Sequence, residues 1–186
     1  MLSLAVLISG RGSNLQAIQK NIESGILRDK ARIAVVIASK ADAAGLIFAK
    51  EHGLSTAVCP SESAALAALA GQPIDLICLA GYMRVLSADF VQKYAGRIIN
   101  IHPTLLPKYP GLHVHEKVLA AGEKESGCTV HYVDAGVDTG KIIAQSRVPV
   151  LPDDTPELLA ARVLAAEHIL YAQVILQIAK GQSLTG

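Results

Sequence analysis

The feature that most constrains this chain is an alternation. Short, mostly apolar runs at residues 3–9, 33–39, 56–59, 74–80 and 97–101 are separated by segments whose apolar residues recur at helical spacing, near 14–24, 43–52, 62–70 and 88–94. A strand that is apolar at every position has both faces covered, as happens when each strand is followed by a helix that crosses back over the sheet. The β-α-β-α order therefore predicts an α/β fold with a doubly wound, mainly parallel sheet and right-handed crossovers. Ser87 stands where a side chain would cap the fourth helix. After residue 124 the rhythm changes: runs at 129–133 and 141–150, joined by a short loop, predict a mixed or antiparallel edge. Asp154-Thr155-Pro156-Glu157 then sets a capping side chain before a proline at the first helical position, opening a long C-terminal helix that ends near Gly181.

At 186 residues, 51% of them hydrophobic, the chain has the material for one well-buried domain and falls outside the disordered class. Lys and Arg number 17 against 16 Asp and Glu, a formal net charge of +1. Nucleic acids and anionic membranes are bound through clustered positive charge, so this balance argues against both as partners. No apolar run approaches the ~18 residues of a membrane span. The apolar start has no basic region ahead of it and reads as a first strand rather than a leader. Cys59, Cys78 and Cys128 are odd in number and widely spaced, unlike a zinc site or a disulfide scaffold, which fits a reducing cytoplasm. Cys78, inside an apolar run, reads as a small buried hydrophobe.

In open α/β sheets ligands bind beyond the carboxyl ends of the strands, so function is sought in those loops. The first, Ser9-Gly10-Arg11-Gly12-Ser13-Asn14, leaves a strand and enters a helix, where backbone amides and the helix amino end favour an anion. Leu15 stands where a dinucleotide fingerprint needs a third small residue, no acid ends the second strand, and the Gly-Lys-Ser/Thr element of a P-loop is missing. A phosphate monoester is a better ligand for it than NAD. The plainer alternative is a tight turn that needs two glycines.

The second loop begins with Asn100-Ile101-His102-Pro103. In an extended chain alternate side chains face one way, so Asn100 and His102 project together, and Pro103 biases His102 towards an extended backbone. An amide donor beside an imidazole suits acyl transfer, in which a carbonyl oxygen gains negative charge and a proton must reach the leaving group. Asp138, within Gly136-Val137-Asp138-Thr139-Gly140, is the carboxylate expected to hold the imidazole and to make it titrate above the ~6.5 of a free histidine. The plainer reading of His102 is a hydrogen-bonded loop residue. His102, His113, His115 and His131 lack the acidic or thiolate company of a metal site, so no metal is expected.

Further blocks accompany these loops: Ser9 to Gln16, Leu79-Ala80-Gly81-Tyr82-Met83-Arg84, Asn100-Ile101-His102-Pro103-Thr104-Leu105-Leu106-Pro107-Lys108-Tyr109-Pro110-Gly111, and Gly127-Cys128-Thr129-Val130-His131 with Val137-Asp138-Thr139-Gly140. Together they resemble the phosphoribosylglycinamide formyltransferases of the folate-dependent formyltransferase family, from residue 2 to about 170. The resemblance implies a single Rossmann-like formyltransferase domain over 1–186, its amino-terminal half binding phosphate and its carboxy-terminal half binding folate. The implied reaction moves the formyl group of 10-formyltetrahydrofolate to the amine of glycinamide ribonucleotide in purine synthesis. By the same resemblance Asn100 donates to the oxyanion, His102 assists it and delivers a proton to the departing folate nitrogen, and Asp138 raises the pKa of His102. Arg11, Gly12, Ser13 and Asn14 would hold the ribonucleotide phosphate and Glu167 its ribose. The folate pocket would be lined by Met83, Arg84, Val85, Leu86 and Asn100 with Val133, Asp134, Ala135, Gly136, Val137 and Asp138, Arg84 meeting a glutamate carboxylate. Partners would be these small molecules alone, with a homodimer left open.

Three positions depart from the family's pattern. Ser61-Glu62-Ser63 carries no cation where an arginine often helps to bind the folate tail, Leu164 replaces a polar residue, and Lys141 replaces a proline after the aspartate loop. Arg11 then carries more of the phosphate contact. The plainer reading of Glu167 is a surface acid on a helix. A phosphosugar- or folate-binding module without turnover is the reading of another class, opposed by the joint presence of Asn100, His102 and Asp138. An NADP oxidoreductase using the glycine loop and Lys40 is opposed by Leu15.

Overall fold

In the computed structural model, which describes residues 1–181, every residue of β1 (Leu2–Ile8) after the first is buried. Its side chains alternate between two cores: Leu4, Val6 and Ile8 enter one, Ala5 and Leu7 the other. That division sets the architecture. α1 (Ser13–Ser24) and α2 (Gly45–Glu51) supply Leu15, Ile18, Leu46 and Ala49 to the first core, while α3 (Glu62–Ala70) and α4 (Ala88–Lys93) supply Ala65, Leu69 and Phe90 to the second. With β2 (Ala31–Ala38), β3 (Thr56–Val58), β4 (Leu76–Leu79) and β5 (Ile98–His102), these helices make the doubly wound arrangement expected from the alternation.

The sheet has seven strands in the order β3-β2-β1-β4-β5-β6-β7, the last two being β6 (Glu125–Tyr132) and β7 (Ile142–Pro149). β1 to β5 pair in parallel, whereas β5 with β6 and β6 with β7 are antiparallel, so the added edge is antiparallel. Strand order reverses between β1 and β4, which places the loops after β1, β4 and β5 around one crevice.

Two expectations are corrected. β6 starts at Glu125, ahead of the run expected from 129, and its connection to β7 takes residues 133–141. A helix α5 (Val114–Ala120) follows β5 that the sequence did not signal: Val114 and Val118 are buried one turn apart, but His113 enters it with a left-handed φ of 57° and no side chain caps it. α6 (Pro156–Ala179) is long and apolar enough by length and composition to cross a bilayer, but Glu157, Arg162, Glu167 and His168 interrupt it, so it holds no continuous apolar run of that length. In this fold α6 buries Leu159, Val163, Leu170, Tyr171, Val174 and Ile175 against the sheet, as a core helix does.

The start of α6 follows the sequence reading. Thr155 Oγ1 accepts the N–H of Leu158 at 3.3 Å and Pro156 opens the helix, a cap worth about 1 kcal/mol. Ser87 caps α4 likewise through Phe90 N–H at 3.1 Å. The Tyr171 hydroxyl lies 3.0 Å from the carbonyl of Leu79 and 3.2 Å from that of Ile99, pinning α6 across β4 and β5. All three cysteines are free and buried, and burial pushes the Cys78 thiol up to about 12, which leaves it without nucleophilic character.

Candidate active site

The glycine loop enters α1 through Gly12, whose φ of 72° suits glycine and whose missing Cβ lets the loop pass the backbone of Gly45. No side chain caps α1, and its first backbone bond runs from Gln16 N–H to Gly12 at 2.9 Å. The N–H groups of Ser13, Asn14 and Leu15 are thus open ends of the helix, a setting that attracts an anion. Arg11 is exposed and Ser13 half-buried at that mouth. Asn14 differs: it is buried, and its Nδ2 donates to Oε2 of Glu167 at 2.8 Å. Glu167 is therefore not a surface acid. It is 7% exposed, one turn before Tyr171 on the face of α6 that meets α1, and burial pushes its carboxyl up to about 7 against the opposing hydrogen bond from Asn14.

At the end of β5, Asn100 and His102 point to the same side as expected, and Asp138 reaches them from the 133–141 connection. Nδ1 of His102 lies 3.3 Å from Asp138 Oδ2, and Asn100 Nδ2 lies 3.5 Å from Asp138 Oδ1. Three neighbours complete the group. The Tyr109 carbonyl is 3.0 Å from His102 Nε2, the Gly111 N–H donates to Asp138 Oδ2 at 2.9 Å, and His131 Nε2 lies 3.2 Å from Asn100 Nδ2. Because the Tyr109 carbonyl can only accept, Nε2 of His102 carries a proton and Nδ1 faces the carboxylate.

The charge state of His102 departs from the sequence reading. Burial, the largest influence, lowers its pKa; the Tyr109 carbonyl and the Asp138 carboxylate raise it, His131 lowers it, and the outcome lies below an ordinary imidazole rather than above it. Asp138 itself is pushed up by burial, yet its surroundings, the Gly111 N–H among them, hold it below the usual carboxylate value. It stays ionised, at a φ of 56° that aspartate tolerates better than most side chains.

Behind this group the Thr104–Tyr109 segment is fixed from below. Thr129 Oγ1 donates to the Thr104 carbonyl at 2.6 Å and accepts the Leu106 N–H at 3.0 Å, and Gln145 donates to the Leu106 carbonyl at 2.8 Å. Around the crevice, Met83, Val85 and Val137 expose 66%, 75% and 54% of their surface, apolar area that an aromatic ligand could cover, while Leu86 is buried. Ser9 holds this rim to the glycine loop: its hydroxyl accepts the Met83 N–H at 2.8 Å and pairs with Ser39 at 2.7 Å. The Arg84 guanidinium, expected to face a ligand carboxylate, rests on the Pro60 carbonyl. Val133 is tied to β5 through Ile98 and packs on the second core. Asp134 folds its loop by accepting from Gly136 N–H at 3.0 Å and Thr139 Oγ1 at 2.7 Å, leaving Ala135 and Gly136 exposed. Lys141, in the place of the family's proline, gives its carbonyl to Tyr132 N–H at 2.9 Å, and Ser61 caps α3 where a cation was wanting.

Sequence reasoning missed His131, Tyr109, Gly111, Thr129 and Ser9 as parts of this site. The alternation Thr129, His131 along β6 could have pointed to the face of Asn100 and His102, once β5 and β6 were paired. Two hollows, of about 250 Å³ behind Thr104–Tyr109 and about 600 Å³ between α1 and α6, are not lined by the Asn100, His102, Asp138 group; Ser13 borders the larger one. Among the described residues no three metal-ligating side chains gather in a metal-holding arrangement, and His113 pairs with Glu116 at 3.8 Å instead.

Known proteins resemble this chain along nearly its whole length. The Formyl transferase family matches residues 2–175. The trifunctional purine biosynthetic protein adenosine-3 of Drosophila melanogaster is 47% identical over 190 aligned residues, covering 97% of this chain, which spans only 14% of that longer protein. The phosphoribosylglycinamide formyltransferase of Haemophilus influenzae is 42% identical over 191 aligned residues, covering 98% of this chain and 89% of that enzyme. Among solved structures, a phosphoribosylglycinamide formyltransferase from Anaplasma phagocytophilum matches with a TM-score of 0.92 at 43% identity, over 97% of this chain and 87% of the other.

Proposed function

The chain belongs to the formyl transferase family, and we propose that it moves the formyl group of 10-formyltetrahydrofolate to the amine of glycinamide ribonucleotide, a step of purine synthesis. The observation that carries this reading is the meeting of Asn100, His102 and Asp138 at the carboxyl end of β5, where an amide donor and an imidazole each come within 3.5 Å of one carboxylate. The amino-terminal half would bind the phosphate through Arg11, Gly12 and Ser13 at the start of α1, with Asn14 presenting Glu167 to the ribose. The carboxy-terminal half would bind folate, its exposed Met83, Val85 and Val137 covering the flat ring system and the backbone of 83–86 and 133–138 pairing with its polar edge. Three buried free cysteines support a reducing, cytoplasmic setting.

Formyl folate, a co-substrate, supplies an activated one-carbon unit on nitrogen. Asn100 donates an N–H to the formyl oxygen as attack by the ribonucleotide amine makes it negative, the kind of contact worth about 10²–10³ in rate. His102, neutral at rest, takes the proton the amine releases through water on Nδ1, the nitrogen left bare by the Nε2–H contact to Tyr109, and Asp138 beside it stabilises the resulting imidazolium. His102 then returns that proton to the departing folate nitrogen, so a carbon–nitrogen bond forms, one breaks, and no net proton is consumed. Following folate deformylation by absorbance, with and without glycinamide ribonucleotide, tests the proposal. Deformylation is expected only with the ribonucleotide present; equal rates without it would identify a hydrolase instead.

A further inference from the structure

His131 stands opposite Asn100 in the β5–β6 pairing and is 2% exposed, yet the reaction above gives it no part. Its Nδ1 lies 2.8 Å from the carbonyl oxygen of Tyr132. A carbonyl only accepts, so Nδ1 carries the ring proton and Nε2 of the neutral ring presents a bare lone pair. That lone pair is 3.2 Å from Asn100 Nδ2 and 3.6 Å from Asp138 Oδ1, and Asn100 Nδ2 is 3.5 Å from the same Oδ1. The three atoms form a triangle of two acceptors, which repel each other, and one amide nitrogen able to donate to both.

An asparagine amide is nearly symmetric in shape, and half a turn exchanges its nitrogen for its oxygen. Turned that way, Asn100 would set Oδ1 against a carboxylate oxygen and a bare ring nitrogen, three acceptors with no proton among them. We infer that His131 is a positioning residue: with its tautomer set by the Tyr132 carbonyl, it holds the Asn100 amide so that one N–H bridges Nε2 and Asp138 while the second donates to the formyl oxygen. This inference rests on the formyl-transfer reading given above. Gly140 belongs to the same device, because a Cβ there would collide with the Tyr132 carbonyl; the end of the Asp138 loop and the tautomer of His131 are packed as one unit. A donor aimed before the charge develops costs no reorganisation at the moment of reaction.

Wild-type protein, His131→Leu and His131→Gln decide the matter. Glutamine places an acceptor oxygen near the position of Nε2; leucine does not. In transfer assays with 10-formyltetrahydrofolate and glycinamide ribonucleotide, His131→Leu is expected to lose about 30-fold in kcat with both KM values within about two-fold, because ground-state binding does not use the bridge. His131→Gln is expected to recover to within about five-fold of wild type. A His131→Leu kcat within about two-fold of wild type overturns the inference, and so does equal loss in both variants with raised KM values. Long-range 1H–15N spectra of ligand-free wild type at pH 8 decide it even if a variant misfolds: a proton on Nδ1 and none on Nε2 supports it, and a proton on Nε2 overturns it. A wild-type protein with no transferase activity would count against the proposed function, while these spectra would still establish which nitrogen of His131 carries the proton.

Discussion

Nδ1 of His102 lies 3.3 Å from Oδ2 of Asp138, within ion-pair range, yet the ring holds a proton less readily than a free imidazole does. Burial outweighs the help that the Tyr109 carbonyl and the carboxylate give to the charged form. The pair is therefore poised rather than pre-charged. A neutral ring can accept the amine's proton, and the waiting carboxylate makes the imidazolium attainable for the moment it is needed.

Asp138→Asn should lower the His102 titration further, since it removes one of the influences that raise it. Asparagine also tolerates the left-handed backbone at this position, so the loop should keep its path. With neutral His102 as the acting base, the acid limb of the rate profile moves to lower pH while the plateau drops, by about 10- to 100-fold, as the imidazolium loses its partner. NMR titration of the ring checks this directly. An unmoved or raised His102 titration in the folded variant contradicts the pairing.

Asn100→Ala should lower kcat by about 10²–10³, the usual loss for one oxyanion donor. The acid limb should stay where it is, because an amide does not titrate. Comparing its pH–rate profile with that of Asp138→Asn separates the two roles; a matching limb shift in both would mean that Asn100 acts through His102.

What the sequence made legible follows the length scale of each signal. β1 could be read because both of its faces are buried, and the start of α6 because Thr155 and Pro156 carry cap chemistry within a few residues. Asn100 and His102 were visible through strand alternation, and Asp138 through its flanking glycines. His131 was not, since its role depends on the register that sets it against Asn100. α5 has only two buried valines and no cap to announce it. The His102 charge state was misjudged because a neighbouring carboxylate can be guessed from a motif, whereas the depth of burial that outweighs it arises only when β5, β6 and the Tyr109 segment close around the ring.

Arg11→Ala combined with Ser13→Ala should raise the KM for glycinamide ribonucleotide at least about ten-fold, since an anion at the start of α1 loses both a counter-charge and a donor. Folate affinity should change little, because neither residue belongs to the rim formed by Met83 and Val137. Calorimetric titration with each ligand separately measures this. Equal weakening of both would point to a disturbed glycine loop rather than a lost phosphate contact.

Glu167 gives the last prediction, in which stability and binding pull apart. Burial pushes its carboxyl from 4.5 to about 7, so between those values the folded chain binds a proton that the unfolded chain has released. Stability from this group is fully present below the unfolded value and is lost as pH rises through about 7, a difference on the order of 3 kcal/mol. Glu167→Gln has no charge to bury, and its Oε1 can still accept the Asn14 N–H that now runs to Oε2 at 2.8 Å. The variant should therefore melt several degrees above wild type at pH 8, with the gap closing towards pH 5, where wild type is mostly protonated. Its KM for the ribonucleotide should rise, because a carboxylate can accept from two ribose hydroxyls and an amide oxygen pairs less strongly. Melting curves at both pH values, read beside the two KM values, test the trade. A gap of the same size at pH 5 and pH 8 would mean that packing rather than charge decides the stability of this position.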